Sequence, residues 1–268
     1  MNYKMIVLDL DGTLVDSKKN ISEKNKQALQ QAVKKGVHVV LASGRPVKGV
    51  LPTAKKLGLN QENAYIIAFN GGRIIEIATE KCLFEADLPE GYLSQMYDLS
   101  RKCDIGFMTY QGNDKLITED DNEYIQLELK INQLERITPK NIKEYINFPV
   151  AKYLLAGEPQ KIEKAEQIFK EVAGDKLNVF RSDPFFLEIL PPKIDKAYAL
   201  QKLIQKLGIK REEVIACGDG YNDITMLQFA GLGVAMENAT EQTKKAADYI
   251  TLSNDDDGVA FVIQKFIL

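Results

Sequence analysis

Met5-Ile6-Val7-Leu8 is apolar at every position and stops abruptly at Asp9. A run that is apolar on both faces suits a strand buried inside a parallel sheet, where helices cover both sides. The pattern recurs along the chain. Val37–Ala42 ends at Ser43-Gly44-Arg45-Pro46, Tyr65–Phe69 at Asn70-Gly71-Gly72, and Val214–Cys217 at Gly218-Asp219-Gly220. Helical patterns fall between these runs. Ser22 can cap a helix through Lys35, with Ala28, Leu29, Ala32 and Val33 on one stripe and Gly36 as its stop. Further helices are expected over Val47–Leu57, Lys196–Leu207 and Asn222–Ala230, a hairpin arm over Arg73–Ile77, and a strand over Gly233–Met236. Strands alternating with helices predict an α/β fold with a doubly wound, Rossmann-like parallel-sheet core.

The stretch 83–190 breaks the alternation. Strand-like pieces (Gly106–Tyr110, Lys152–Ala156, Asn178–Arg181, Phe185–Leu190) mix with helices near Glu90–Lys102 and Pro159–Ala173. This mixture predicts an inserted α+β domain, with 1–82 and 191–268 forming the core and hinges near Cys82 and Pro191. The length of 268 residues agrees, since single cores stop growing near ~250–300 residues. Charge shifts as well: the insertion carries a net −7 and the remainder +4. An acidic insertion argues against a nucleic-acid reader, which needs a basic face, although a solvated surface explains the excess too.

What is missing narrows the chemistry. His38 is the only histidine and lies in an apolar run, so multi-histidine metal centres are excluded and packing is its plainer role. No Gly-Lys dipeptide occurs, hence no Walker A loop, and no G-x-G-x-x-G. Three scattered cysteines (Cys82, Cys103, Cys217) form no C-x-x-C pair and suit a reduced chain. Leu88, Thr109 and Asp223 stand where a cysteine phosphatase would place its arginine. No apolar run is long enough to span a bilayer, and Asp9 and Asp11 interrupt any signal-peptide core. A cytoplasmic location without membrane partners is expected.

Ligands of open α/β sheets bind beyond the carboxyl ends of the strands. Three such ends carry unusual residues. In Asp9-Leu10-Asp11-Gly12-Thr13 two carboxylates stand two residues apart, at a cost in repulsion and desolvation that a divalent cation would remove. A surface turn is the plainer alternative. In Gly218-Asp219-Gly220-Tyr221-Asn222-Asp223, Asp219 and Asp223 can complete a metal site and Asn222 can offer an amide N–H to a phosphate; an acidic helix start is the alternative. Ser43-Gly44 offers a hydroxyl and backbone N–H groups at a helix start, an anion site or simply a cap. Lys196, opening its helix, reads on composition alone as a solvated lysine.

Taken in order, Asp9-Leu10-Asp11-Gly12-Thr13, Ser43, Lys196 and Gly218-Asp219…Asn222-Asp223 resemble the four motifs of the haloacid-dehalogenase superfamily of aspartate-nucleophile phosphohydrolases. The pattern is similar to the Cof-type branch and its bacterial sugar-phosphate phosphatases, as are Phe69-Asn70-Gly71, Phe186-Leu187-Glu188-Ile189 and Gly231-Leu232-Gly233-Val234-Ala235-Met236. Ala197 departs from the family, which usually has Gly after the lysine. The likeness covers essentially the whole chain. The 153 steps between Ser43 and Lys196 leave room for a cap domain between the second and third motifs.

The resemblance implies a Mg²⁺-dependent phosphatase of small phosphorylated metabolites, most of all sugar phosphates, and a monomer or weak homo-oligomer. It implies Asp9 as nucleophile and Asp11 as general acid and base. Leu10 (by its N–H), Ser43, Gly44, Lys196 and Asn222 would hold the phosphate. Mg²⁺ would be held by Asp9, the Asp11 backbone carbonyl and Asp219, with Asp223 behind them. A phosphomutase, or a phospho-ligand sensor without catalysis, would share these residues.

Overall fold

The computed structural model describes residues 3–59 and 63–268. Its N-terminal part runs β1 (Met5–Leu8), α1 (Glu23–Lys34), β2 (His38–Ala42), α2 (Val47–Leu57), β3 (Ala64–Ala68), β4 (Arg73–Glu76) and β5 (Lys81–Glu85). The middle adds α3 (Tyr92–Lys102), β6 (Gly106–Gln111), β7 (Lys115–Thr118), α4 (Glu123–Asn132), β8 (Glu135–Ile137), α5 (Ile142–Tyr145), β9 (Tyr153–Ala156), α6 (Pro159–Ala173), β10 (Asn178–Asp183) and β11 (Phe186–Leu190). The chain then returns with α7 (Lys196–Leu207), β12 (Val214–Gly218), α8 (Ile224–Phe229), β13 (Leu232–Ala235), α9 (Glu241–Ala246), β14 (Tyr249–Ile250) and α10 (Gly258–Phe266).

Two compact units result. One comprises 1–44, 50–84 and 195–268, the other 45–49 and 85–194. The first is built on an eight-stranded sheet in the order β14-β13-β12-β1-β2-β3-β4-β5. β14 through β3 pair in parallel, and β4 turns back antiparallel on β3 as the expected hairpin arm. Every residue of β1 is fully buried, as its unbroken apolar pattern requires. Such burial contributes about 1.5–3 kcal/mol for each large aliphatic side chain. From β1 the chain winds outward through β2 and β3 on one side, and through β12, β13 and β14 on the other. Strand order therefore reverses between β1 and β12, where open α/β sheets leave a crevice. Leu8 lies opposite Cys217, and the Asp9 N–H donates to the Cys217 carbonyl at 3.0 Å, so the two carboxylate-bearing loops leave the sheet side by side.

Several element ends shift by a residue or two, and two departures bear on the carboxyl ends of the strands. The third strand stops at Ala68 because Phe69 and Asn70 both turn left-handed, each at φ 52°. The helix expected over Asn222–Ala230 is a 3₁₀ turn at Tyr221–Asp223 followed by α8, since the first turn tightens around Asp223. His38 stacks on Tyr65 with ring centroids 5.9 Å apart, the packing role given to it, and burial lowers its pKa. Asp255, Asp256 and Asp257 are loop anchors: Asp255 accepts from the Ser17 N–H, Asp256 from Ser253, and Asp257 pairs with Lys24.

The second unit is a six-stranded sheet, β10-β11-β9-β6-β7-β8, antiparallel except between β7 and β8, with helices packed on it. Four of its elements, β7, α4, β8 and α5, have no counterpart in the sequence reading. The reason is clearest in α4. Its buried positions are Ile125, Glu128 and Asn132, so the stripe that marks a helix is mostly polar here. Glu128 accepts from the Tyr110 hydroxyl and the Asn132 amide, both at 2.7 Å, and Lys152 pairs with Glu188 of β11 at 2.8 Å. Buried polar groups of this unit are thus tied to one another. No helix among the described residues is long and apolar enough to cross a membrane.

Candidate active site

Asp9 follows the last residue of β1 and is buried. Lys196, the first residue of α7, is completely buried and sends its ammonium between two carboxylates, 2.6 Å from Asp9 Oδ1 and 2.6 Å from Asp223 Oδ1. A lysine at a helix start opposes the helix dipole. The two carboxylates supply the compensation, and Asp195 caps the helix by accepting from the Tyr198 N–H at 2.7 Å. The solvated lysine that composition favours is not what the fold provides. Asp223 uses its other oxygen to accept from the N–H groups of Asp219 and Gly220 at 3.0 and 2.9 Å. Asp219 accepts from the buried Thr13 hydroxyl at 2.8 Å.

Asp9, Asp219 and Asp223 each present a carboxylate oxygen within 4.8 Å of the others, an arrangement that can hold a metal ion. Three carboxylates face one ammonium, so the cluster carries excess negative charge in a buried place. Burial first, then the Asp223 charge, raises the Asp9 pKa well above its ordinary value, with Lys196 pulling back. Burial and Asp223 push Asp219 up to about 7, against the Thr13 hydrogen bond. Burial alone would lower Lys196, but Asp223 and Asp9 outweigh it and raise its pKa. The donor set is all hard oxygen, with no thiolate or imidazole in the trio, which suits a hard divalent cation.

The other expected site residues stand around this cluster. Asp11 is partly exposed, and its carboxylate pairs with Lys19 at 2.8 Å. Leu10 is buried, its carbonyl accepting from the N–H groups of Thr13, Leu14 and Val15, so a tight turn follows the strand. Gly12 makes that turn possible: φ is +83°, and a Cβ there would overlap the Asp219 carboxylate. Ser43 directly follows β2, buried, with its N–H on the Ile67 carbonyl at 2.8 Å, and Gly44 comes next. Asn222 donates its amide to Asn70 Oδ1 at 2.9 Å. Thr13 and Asn70 lie within motifs legible in the sequence, but their roles in the site follow only from their contacts with Asp219 and Asn222, which spacing along the chain does not show.

Gly12→Ala is expected to cost about 1–2 kcal/mol from the left-handed backbone and to displace Asp219. Turnover should fall ~10²-fold, the scale of a misplacement near 1 Å. Steady-state kinetics beside a thermal melt would test this; full activity would show that Asp219 need not stay where it is.

The sequence matches the haloacid dehalogenase-like hydrolase family over residues 6–263. A haloacid dehalogenase-like hydrolase from Bacteroides thetaiotaomicron is 44% identical, covers 98% of this chain and 99% of its own, and superposes with a TM-score of 0.89. A haloacid dehalogenase subclass IIB sugar phosphatase is 25% identical with a TM-score of 0.85, and 98% of each chain is covered. The 5-amino-6-(5-phospho-D-ribitylamino)uracil phosphatase YcsE of Bacillus subtilis is 32% identical over 100% of this chain and 97% of its own. The chain belongs to the haloacid dehalogenase-like hydrolase family, in its Cof-type branch, and is a phosphatase.

Proposed function

We propose that the protein hydrolyses phosphomonoesters of small metabolites, sugar phosphates foremost, with Mg²⁺ as cofactor and an aspartyl-phosphate intermediate. The observation that carries this reading is the buried Asp9 carboxylate at the end of the central strand, held by one ammonium within an excess of negative charge. The choice of sugar phosphates rests on the likeness to a subclass IIB sugar phosphatase.

Asp9, the Asp11 backbone carbonyl and Asp219 would hold Mg²⁺. Both Asp223 oxygens already serve Lys196 and the backbone of its own turn, which suits a positioning role. Bound Mg²⁺ supplies charge that offsets the repulsion between the Asp9 carboxylate and a phosphate dianion. The Asp9 carboxylate attacks phosphorus, and the bond to the leaving oxygen breaks as Asp11 gives that oxygen a proton. Asp11 then takes a proton from water, whose oxygen attacks the same phosphorus. The bond to Asp9 breaks, releasing phosphate and restoring the carboxylate. Lys196, Ser43, the Gly44 and Leu10 N–H groups and Asn222 hold the transferring oxygens. Substrate choice is assigned to the inserted unit. A panel of phosphorylated metabolites, assayed for phosphate release with and without Mg²⁺, tests the reading. Release from sugar phosphates only when Mg²⁺ is present is expected, and equal turnover after EDTA would overturn the metal assignment.

Proton uptake gives a second test. Asp219 has a raised pKa in the folded, metal-free chain, so its contribution to stability is fully present below about 4 and is lost as pH rises through about 7. Metal binding requires the deprotonated carboxylates. Saturating Mg²⁺ should therefore raise the melting temperature by about 5 °C at pH 8 and by much less at pH 5. A shift of the same size at both values would contradict the assignment.

A further inference from the structure

Asn70 is 1% exposed, and its Nδ2 has no hydrogen-bond partner among the described residues. A buried amide N–H left unpaired is costly, so such a group persists where something else supplies an acceptor. The rest of the residue is tied down. Oδ1 accepts from Asn222 Nδ2 at 2.9 Å, and the backbone N–H donates to the Ser43 carbonyl at 3.0 Å. The residue sits left-handed at φ 52°, which Asn tolerates better than most side chains. Nδ2 also faces Gly44 closely: a Cβ built on Gly44 would lie 2.9 Å from it. Asn70 is thus surrounded by Ser43, Gly44 and Asn222, three residues assigned to the phosphoryl group. The acceptor common to all three is a phosphoryl oxygen.

We propose that Asn70 is a further phosphate-binding residue, whose Nδ2 donates to an oxygen of the phosphoryl group while its Oδ1 orients the Asn222 amide. The proposal rests on the phosphatase reading of this site. A hydrogen bond to an anion of this kind corresponds to about a 10–100-fold change in affinity.

The test titrates inorganic phosphate, in the presence of Mg²⁺, into the full-length protein and its variants by calorimetry, and follows phosphate release in parallel. Asn70→Gly removes the side chain while permitting the left-handed backbone. Asn70→Asp keeps an acceptor for Asn222 and replaces the donor with an anionic oxygen. Both should weaken phosphate binding, Asn70→Gly by about 10–100-fold and Asn70→Asp by more, with a parallel rise in KM. Phosphate binding by Asn70→Asp within about twofold of wild type would show that neither a donor nor a neutral group is needed at this position, so that the side chain does not meet the phosphoryl group. That result would overturn the proposal. Thermal melts establish which variants fold; Asn70→Gly binding phosphate as tightly as wild type would overturn the proposal equally, and Asn70→Asp separates a direct donor from a residue that only orients Asn222. A failure of the phosphatase reading looks different: wild type would still bind phosphate but release none from any monoester.

Discussion

Asp9→Asn is expected to reduce phosphate release to background, whereas Asp11→Asn is expected to accumulate phosphorylated protein. A route in which both residues merely surround a metal would give similar losses. The covalent route does not. Asp9→Asn removes the attacking oxygen, so no phosphoenzyme can form. Asp11→Asn keeps the backbone carbonyl and loses only a proton shuttle, a step worth roughly 10²–10⁴-fold. The exposure of Asp11 agrees with a group that exchanges protons with a leaving oxygen and with water. An aryl phosphate needs little protonation on leaving, so phosphorylation should proceed in Asp11→Asn while hydrolysis lags. Intact-mass measurement on rapidly quenched protein should then show one phosphoryl group, which peptide mapping places on Asp9. No adduct in Asp11→Asn, with substantial turnover in Asp9→Asn, would indicate direct attack by water.

Lys196→Met should abolish turnover and also destabilise the protein. The variant keeps roughly the volume of the side chain but leaves Asp9 and Asp223 facing each other, buried and without their shared cation. Breaking a buried ion pair from one side costs about 3–5 kcal/mol, because the remaining charge is neither solvated nor paired. The loss should depend on pH in a definite direction. Asp9 deprived of Lys196 is pushed further toward the protonated form, so the variant should be most destabilised at pH 8 without metal and closest to wild type near pH 5. Adding Asp223→Asn removes one of the stranded charges and should recover much of the stability without recovering activity. Chemical unfolding of the three proteins at both pH values would measure this. A Lys196→Met protein as stable as wild type at pH 8 would mean that the ammonium is not needed to hold the carboxylates.

The apolar runs were enough to predict the parallel core, because a strand buried on both faces has no polar position to disguise it. Glycines and capping residues marked where α1, α2 and α7 stop, and α2, α6 and α7 begin and end at the expected residues. The inserted unit was less legible. Its α4 buries Glu128 and Asn132 in place of apolar residues, and short β7 and β8 offer too few positions for alternation to register. The first and fourth carboxylate motifs declared themselves by spacing, as did their place at strand ends. Sequence alone could not show that Lys196 is buried, since a lysine is ordinarily solvated and only the facing carboxylates of Asp9 and Asp223, 187 and 27 residues away in the chain, make burial tolerable. Nor could it show that Asn70 reaches Asn222 across 152 residues. Periodicity and turn chemistry are local and can be read along the chain. The partners that decide the charge state of a buried group are chosen when β1 and β12 become neighbours, and only the tertiary structure does that.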